Sequence, residues 1–437
     1  MKTLFSLLLF PTLLLAQTEF LSLEDAWQIA LRENPSEEIA QARLDQAEAR
    51  YRQSQSRYHP LIGATASGSR IDYSDSSLQR LPPGTSDSTE IYDAGLQANW
   101  LLWDSGIRKN SMEAARFQRD ATEAARLDSR EQLLAQVGNA FTAAQLARAN
   151  LRIAEADVEF QNRQLENSIR KEKAGLDSRT DRLNFEIRKL GAENTAIQQQ
   201  ANYESAMAAL GALLGQPADQ PLPPPVKLEP GSQNLPGEIS DVNALWQTAR
   251  ENLPALNQAA LLVEAARSNL QASKGEYGPE ISLFGNLSAE REEDPSFGSE
   301  DVGNTVGVQI SWDIWTGNAR KQQVLEADAL LRENQAAARQ VQLRAIADIQ
   351  QAHSEYLASV TAEKISEQTF ELSKENRDLV EASYQAGRET LLRLNEAQRD
   401  FNNAGSRYVA SRLQRQLAWI RLQQSTGTLR QQVNPAE

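Results

Sequence analysis

The 437-residue chain has no cysteine and only two histidines. This excludes disulfide bonds, thiolate chemistry and cysteine–histidine zinc sites, and it leaves little for acid–base catalysis by histidine. No nucleophile–base pair, metal-ligand cluster or phosphate-binding glycine loop stands out, so we expect no enzyme and no cofactor. The net charge of −14 makes nucleic acid an unlikely class of partner.

Long apolar runs are also missing beyond the first sixteen residues. The start, MKTLFSLLLFPTLLLA, has a lysine, an apolar run and a small final residue, Ala16, which is the pattern of a secretory signal peptide. We therefore predict that residues 1–16 are a signal peptide and that the chain is exported. No later apolar run reaches the roughly 18 residues of a membrane helix, so helices are not expected to cross a membrane.

The chain is a tandem repeat. Trp27 matches Trp246 at an offset of 219 residues. Further along, Trp100 matches Trp312 at an offset of 212 residues, and the change falls in a loop, where duplicated units tolerate a difference in length. The predicted units are a first structural repeat, a proline-rich extended linker that is not a folded element, and a second repeat, at 17–216, 217–237 and 238–437.

Each repeat contains a long region without proline that predicts very long helices. The helical part begins near residue 106 in the first repeat and near residue 317 in the second. It is interrupted only at Ala174-Gly175 and Ala386-Gly387, where glycine is a natural C-cap and turn residue. A helix from residue 106 to residue 173 would be on the order of 100 Å long. Because apolar residues recur there at coiled-coil intervals, we predict long antiparallel coiled coils.

Four segments alternate apolar and polar residues and therefore predict amphipathic strands. They are 61–70, 91–102, 281–289 and 302–314. Strands of about ten residues with one apolar face fit a tilted crossing of a bilayer. The pattern leaves one alternative open, a sheet packed on a protein core in an exported coiled-coil structural protein or periplasmic adaptor.

Four strands cannot close a barrel, and an open sheet edge is not tolerated in lipid, so several chains must share one barrel. Three chains would supply twelve strands and leave a bore. The predicted fold class is mainly α with a small β part. Long coiled-coil helices form a tunnel continuous with a trimeric twelve-stranded transmembrane β-barrel, to which each chain contributes four strands.

Two similar seams, WLLWDSGIR at 100–108 and WDIWTGNAR at 312–320, stand where a strand is followed by a long helix. We predict that their tryptophans lie at the membrane interface and that glycine lets the backbone change structure. We expect the arginines to reach into water or lipid headgroups. The predicted seam residues are Trp100, Trp103, Gly106, Arg108, Trp312, Trp315, Gly317 and Arg320.

The order of these elements, the doubled seam, the opening SLEDAWQIALRENP and the turns KAGLDSRTD and YQAGRETLLRLNEAQ resemble the TolC-like outer-membrane efflux proteins. The resemblance covers essentially the whole mature chain. It implies a homotrimer in the outer membrane of a Gram-negative cell, with its helices in the periplasm. It also implies a passive conduit for tripartite efflux or type I secretion, whose partners are a periplasmic adaptor, an inner-membrane pump and outer-membrane lipid. The substrate, whether drug, metal ion or protein, is left open.

The resemblance further implies that the helical turns form a periplasmic tip, which meets the adaptor and closes the tunnel. The tip turns are Ala174, Gly175, Leu176, Ala386 and Gly387. Asp181 and Tyr384 agree with family residues that hold the tip closed. Both are therefore candidate gate residues.

The other candidate gate residues depart from the family pattern. Glu389 replaces a family arginine, although the adjacent Arg388 could take its role. Arg393 and Glu396 stand where the family has two acidic residues, so a strong preference for cations is not expected. By their spacing alone, these two residues could equally form an ion pair on a solvated helix face.

Overall fold

A computed structural model describes residues 20–80, 82–83, 86–175, 178–217, 223–227 and 235–433. The predicted signal peptide, much of the predicted linker and Leu176 lie outside the described residues. The described chain is mainly helical, with four strands in one antiparallel sheet. No helix in this part of the chain is long and apolar enough to cross a membrane.

The same series of elements occurs twice: two shorter helices, two strands and two longer helices. The first series is α1 (Leu23–Glu33), α2 (Pro35–Ser56), β1 (Leu61–Asp72), the short α3 (Asp75–Leu78), β2 (Ser88–Trp103), α4 (Ile107–Lys173) and α5 (Arg179–Leu213). The second is α6 (Val242–Asn252), α7 (Pro254–Gly275), β3 (Glu280–Glu292), β4 (Val302–Ser311), α8 (Ala319–Gln385) and α9 (Leu391–Thr426). Both α4 and α8 have 67 residues. The duplication is therefore visible in element length as well as in sequence.

Local sequence explains where the helices begin and end. Pro35 and Pro254 occupy the first position of α2 and α7, where a missing N–H costs nothing. Ser178 accepts a hydrogen bond from a backbone N–H in the first turn of α5. The turns after α4 and α8 contain Gly175 and Gly387, both with φ of 72°, a left-handed conformation that ends a helix readily in glycine.

The described residues form two compact units, each with residues from both repeats. The first unit lies within 1–38, 128–253 and 345–437, and the second within 39–127 and 254–344. In the first unit, Trp27 is fully buried and its Nε1 donates to the backbone oxygen of Leu134 at 2.8 Å.

Part of the predicted linker belongs to this core. Val226 is fully buried and forms an isolated parallel bridge with Leu21. The prediction that the linker is not a folded element is therefore wrong for residues 223–227. The apolar side chain of Val226 gains by burial, and backbone hydrogen bonds hold the segment in place.

The second unit contains the sheet, with strand order β1-β2-β3-β4 and β1 and β4 at its edges. β1, β2 and β3 are longer than predicted, whereas β4 ends at Ser311, three residues before the predicted end at 314. The reason lies in the neighbouring strand. Ser311 pairs with Glu280, and the next residue along β3 would be Pro279, which has no N–H to continue the ladder.

Candidate functional site

Each long helix begins after two residues with left-handed backbone. Ser105 and Gly106 have φ of 54° and 87°, directly before α4. Gly317 and Asn318 have φ of 60° and 71°, directly before α8. The sequence analysis pointed to the two glycines, but the left-handed pair in each seam includes a second residue. Asparagine favours this conformation, whereas Ser105 carries no signal beyond its place next to Gly106.

Arg108 is buried, which corrects the prediction that it reaches into water or headgroups. Its side chain and backbone both donate to Oδ2 of Asp104, from Nε at 2.9 Å and from N at 2.7 Å. The guanidinium also donates to the carbonyls of Leu101 (2.6 Å), Leu102 (3.1 Å) and Arg57 (3.2 Å). These carbonyls lie at the end of β2 and just after α2, where regular partners run out. A guanidinium with five N–H donors satisfies them together, and this explains its burial.

Arg320 is buried in the same way, so the prediction of an outward arginine is wrong here too. Its Nη1 donates to the carbonyl of Glu276 at 3.0 Å, and its Nη2 donates to the carbonyl of Asp313. Thr316 takes the place of Asp104, and its hydroxyl lies 3.4 Å from Nε of Arg320. Among the described residues, Arg320 therefore has no carboxylate partner.

The seam tryptophans are exposed, and two of them are also anchored. Nε1 of Trp100 donates to the carbonyl of Tyr58 at 2.9 Å, and Nε1 of Trp312 donates to the carbonyl of Tyr277 at 3.0 Å. An indole with a bonded N–H and an exposed ring suits the boundary between water and lipid. The exposed seam tryptophans are Trp100, Trp103, Trp312 and Trp315.

The sheet exposes large apolar side chains on its edge strand. Val306, Val308 and Ile310 alternate along β4, share one face and are 76%, 62% and 68% exposed. On the opposite face Phe284 lies across Gly307 of the neighbouring strand, where an added Cβ would meet its ring at 2.6 Å. The exception that Phe284 makes to the alternation of β3 is thus explained by the missing side chain opposite it.

The predicted tip turns lie between the long helices. Ala174 and Gly175 follow α4, Ala386 and Gly387 follow α8, and all four are exposed. Leu176 cannot be placed, since it lies outside the described residues.

The two family-like gate candidates have different surroundings. Oδ2 of Asp181 accepts a hydrogen bond from the hydroxyl of Ser178 at 2.7 Å, so this carboxylate closes the capping box of α5. Tyr384, near the end of α8, packs against a small apolar cluster that includes Phe160 of α4. Nζ of Lys171, also on α4, lies 4.9 Å from the centre of the Tyr384 ring. Tyr384 therefore links the ends of two long helices.

The remaining gate candidates are largely solvated. Arg388 and Glu389 are exposed, and the backbone N–H of Arg388 donates to the carbonyl of Ser383 at 2.9 Å, which helps to end α8. Arg393 and Glu396 form an ion pair at 3.7 Å on α9. Their charges therefore offset each other within one helix.

A buried carboxylate on α4 was missed from the sequence. Glu131 is 2% exposed, and its Oε1 accepts from the backbone N–H of Arg430 at 3.2 Å. Its Oε2 is buried without a hydrogen-bond partner. Burial raises the pKa of Glu131 to about 7, and the charge of nearby Asp128 raises it further. Glu131 looks in sequence like any other acid on a helix, so only its contacts distinguish it.

The whole arrangement, with four strands that expose apolar side chains and two pairs of long helices, is that of an outer membrane channel protein. The chain matches the family described as outer membrane efflux protein over residues 26–216 and 245–428. It is 25% identical to Protein CyaE of Bordetella pertussis over 394 residues, which are 89% of this chain and 80% of that protein. It is 24% identical to Outer membrane protein TolC of Vibrio cholerae over 423 residues, or 94% and 92% of the two chains.

A solved structure shares the fold. The open state of the Neisseria gonorrhoeae MtrE outer membrane channel is similar with a TM-score of 0.78 at 22% identity, over 93% of this chain and 89% of that one. The chain belongs to the outer membrane efflux protein family. It is accordingly an outer membrane channel of the efflux and secretion type, and its location is the outer membrane, which confirms the resemblance seen in the sequence.

Proposed function

We propose that three copies of this chain form a passive conduit in the outer membrane. An inner-membrane pump, coupled to it by a periplasmic adaptor, would drive the substrate through the conduit unmodified. We also propose that the chain is not an enzyme, since members of its family are channels and its sequence offers no nucleophile–base pair.

The observation that carries the proposal is the state of the sheet edges. β1 and β4 each pair on one side only within the chain, and β4 exposes Val306, Val308 and Ile310. An unpaired edge is not tolerated in lipid, so each edge needs a strand from another copy. Two copies would give eight strands, whose inward side chains fill the interior, whereas three give twelve and leave a bore.

We propose that the tip gate is held by contacts between the ends of the long helices. Tyr384 supports this role best, because it bridges α8 to Lys171 and Phe160 of α4. Asp181 would act by holding the first turn of α5, and Arg388 and Glu389 remain available for contacts between copies. The Arg393–Glu396 pair supports a tip without strong ion preference.

The conduit is tested on protein extracted from membranes in a mild detergent. Its mass should be that of three chains, and in planar bilayers it should open discrete channels of small conductance. A monomer that stays in solution without detergent and never conducts would contradict the proposal. It would favour a sheet packed on a protein core.

The gate is tested by replacing Tyr384 and Asp181 together with alanine. We expect a several-fold rise in single-channel conductance, because the α4–α8 link and the start of α5 both loosen. Asp181→Asn is the matched control, since an amide oxygen can still accept the Ser178 hydrogen bonds. A double variant with the conductance of the unmodified channel would reject the gate assignment and leave the conduit untouched.

A further inference from the structure

The two repeats differ in what covers the C-terminal ends of α5 and α9. In the first repeat, the extended segment 223–227 covers the end of α5. Pro223 lies over Gly211, where an added Cβ would be 3.4 Å from Cδ of Pro223, and Val226 is fully buried. The segment pairs with Leu21, whose N–H donates to the carbonyl of Pro225 at 2.9 Å and whose carbonyl accepts from N–H of Lys227 at 3.0 Å.

The second repeat has the same surroundings without the covering segment. At the repeat offsets, Ser240 corresponds to Leu21 and Gln423 corresponds to Gly211. Both residues line a groove of about 250 Å³ beside Trp419 and Leu422 at the end of α9. In the described part of the chain, the backbone N–H and carbonyl of Ser240 have no hydrogen-bond partner. These are the two groups that the covering segment uses in the first repeat.

We propose that this groove is a docking site for an extended, proline-rich segment of a partner protein. The segment would add a strand beside residues 239–241, as residues 223–227 do beside Leu21. Main-chain pairing of this kind supplies affinity, and alternate side chains entering pockets supply specificity. The groove and the conduit are independent, since the groove contains neither a seam residue nor a gate candidate.

The lining of the groove indicates which residues the segment carries. Trp419 replaces Met207 of the first repeat, and an aromatic wall suits the flat rings of an extended proline segment. The position of Val226 calls for an aliphatic side chain against Leu422. Glu238 on the rim favours a basic residue next to it, as Lys227 follows Val226 in the first repeat.

The probe is a synthetic peptide with the chain's own sequence Leu222–Leu228, LPPPVKL, titrated into the purified protein in detergent by calorimetry. We expect saturable binding. Ser240→Pro should weaken it about tenfold, since one main-chain donor is lost, whereas Ser240→Ala, which keeps the N–H, should bind as the unmodified protein does. Trp419→Ala should also weaken binding. Unchanged melting temperatures separate these losses from misfolding.

A peptide with aspartate in place of the valine is the specificity control and should not bind. No binding of LPPPVKL, or equal binding by Ser240→Pro and Ser240→Ala, would overturn the proposal. Binding that appears only after residues 434–437 are removed would also overturn it, since the chain's own C-terminus would then be the occupant. Each of these outcomes is read separately from conductance, so failure here leaves the proposed conduit intact.

Discussion

The two strand-to-helix seams share a backbone but not a charge balance. Arg108 and Arg320 occupy equivalent positions, are both buried and both donate to equivalent carbonyls. Only Arg108 has a carboxylate, Asp104, whereas Arg320 has the hydroxyl of Thr316. What the seams have in common is thus the satisfaction of backbone oxygens where a strand ends. The ion pair is an addition in one repeat.

The helical unit shows the same kind of divergence. In the first repeat, the end of α5 is closed by Val226, and in the second the equivalent region beside Trp419 is open. Duplication has kept helix lengths and caps, while side chains that cover or neutralise a site differ between the copies. The differences are therefore where new binding properties are to be sought.

The largest expected effect breaks the comparison between the seams. Arg108→Met leaves the Asp104 carboxylate buried without its partner, which costs about 3–5 kcal/mol. Arg320→Met leaves only carbonyls and a hydroxyl unsatisfied, which costs about 1–3 kcal/mol. Unfolding of the two variants in detergent with increasing denaturant measures the difference. Asp104→Thr combined with Arg108→Met should recover most of the gap, and equal losses for the two single variants would contradict the interpretation.

A smaller effect concerns Glu131, whose equivalent in the second repeat is Leu343. The pKa of Glu131 is raised to about 7 in the folded protein, so the fold favours the protonated form. Its contribution to stability is greatest below the ordinary pKa, near 4.5, and declines as pH rises to about 7.

Glu131→Gln should therefore leave stability unchanged at pH 4.5 and raise the free energy of unfolding at pH 8 by about 2–3 kcal/mol. Thermal unfolding at both pH values measures this. Glu159→Gln, at an exposed position on the same helix, is the control and should show no such pH-dependent gain. A gain of equal size at both pH values would show that charge burial is not the cause.

The smallest expected effect is at the tip. Arg393 and Glu396 are an exposed pair three residues apart, so Arg393→Ala should change the free energy of unfolding by only a few tenths of a kcal/mol. Thermal unfolding should hardly differ from that of the unmodified protein. A large loss of stability would mean that Arg393 has a partner in another copy of the chain.

Much of the architecture follows from local sequence, because helix period, proline position and capping residues act within a few residues. The long helices end where Gly175 and Gly387 allow a left-handed turn. The seam arginines could not be predicted correctly, since the carbonyl of Arg57 that helps to bury Arg108 belongs to a chain segment about fifty residues earlier. The end of β4 likewise depends on Pro279 in its neighbour, and the burial of Val226 depends on Leu21. Sequence pattern therefore predicts the elements, and the contacts between them decide the sites.

The central claim, that each chain supplies four strands to a shared barrel, is tested most directly by disulfide formation between β1 and β4. Within one chain, β2 and β3 separate these edges, so they lie about 14 Å apart, too far for a disulfide. The chain has no native cysteine, so one cysteine placed in β1 and one in β4 can only join different copies. A scan of such pairs in intact membranes should yield covalent trimers at matching positions and none from single-cysteine variants. Monomers throughout the scan would contradict the shared barrel.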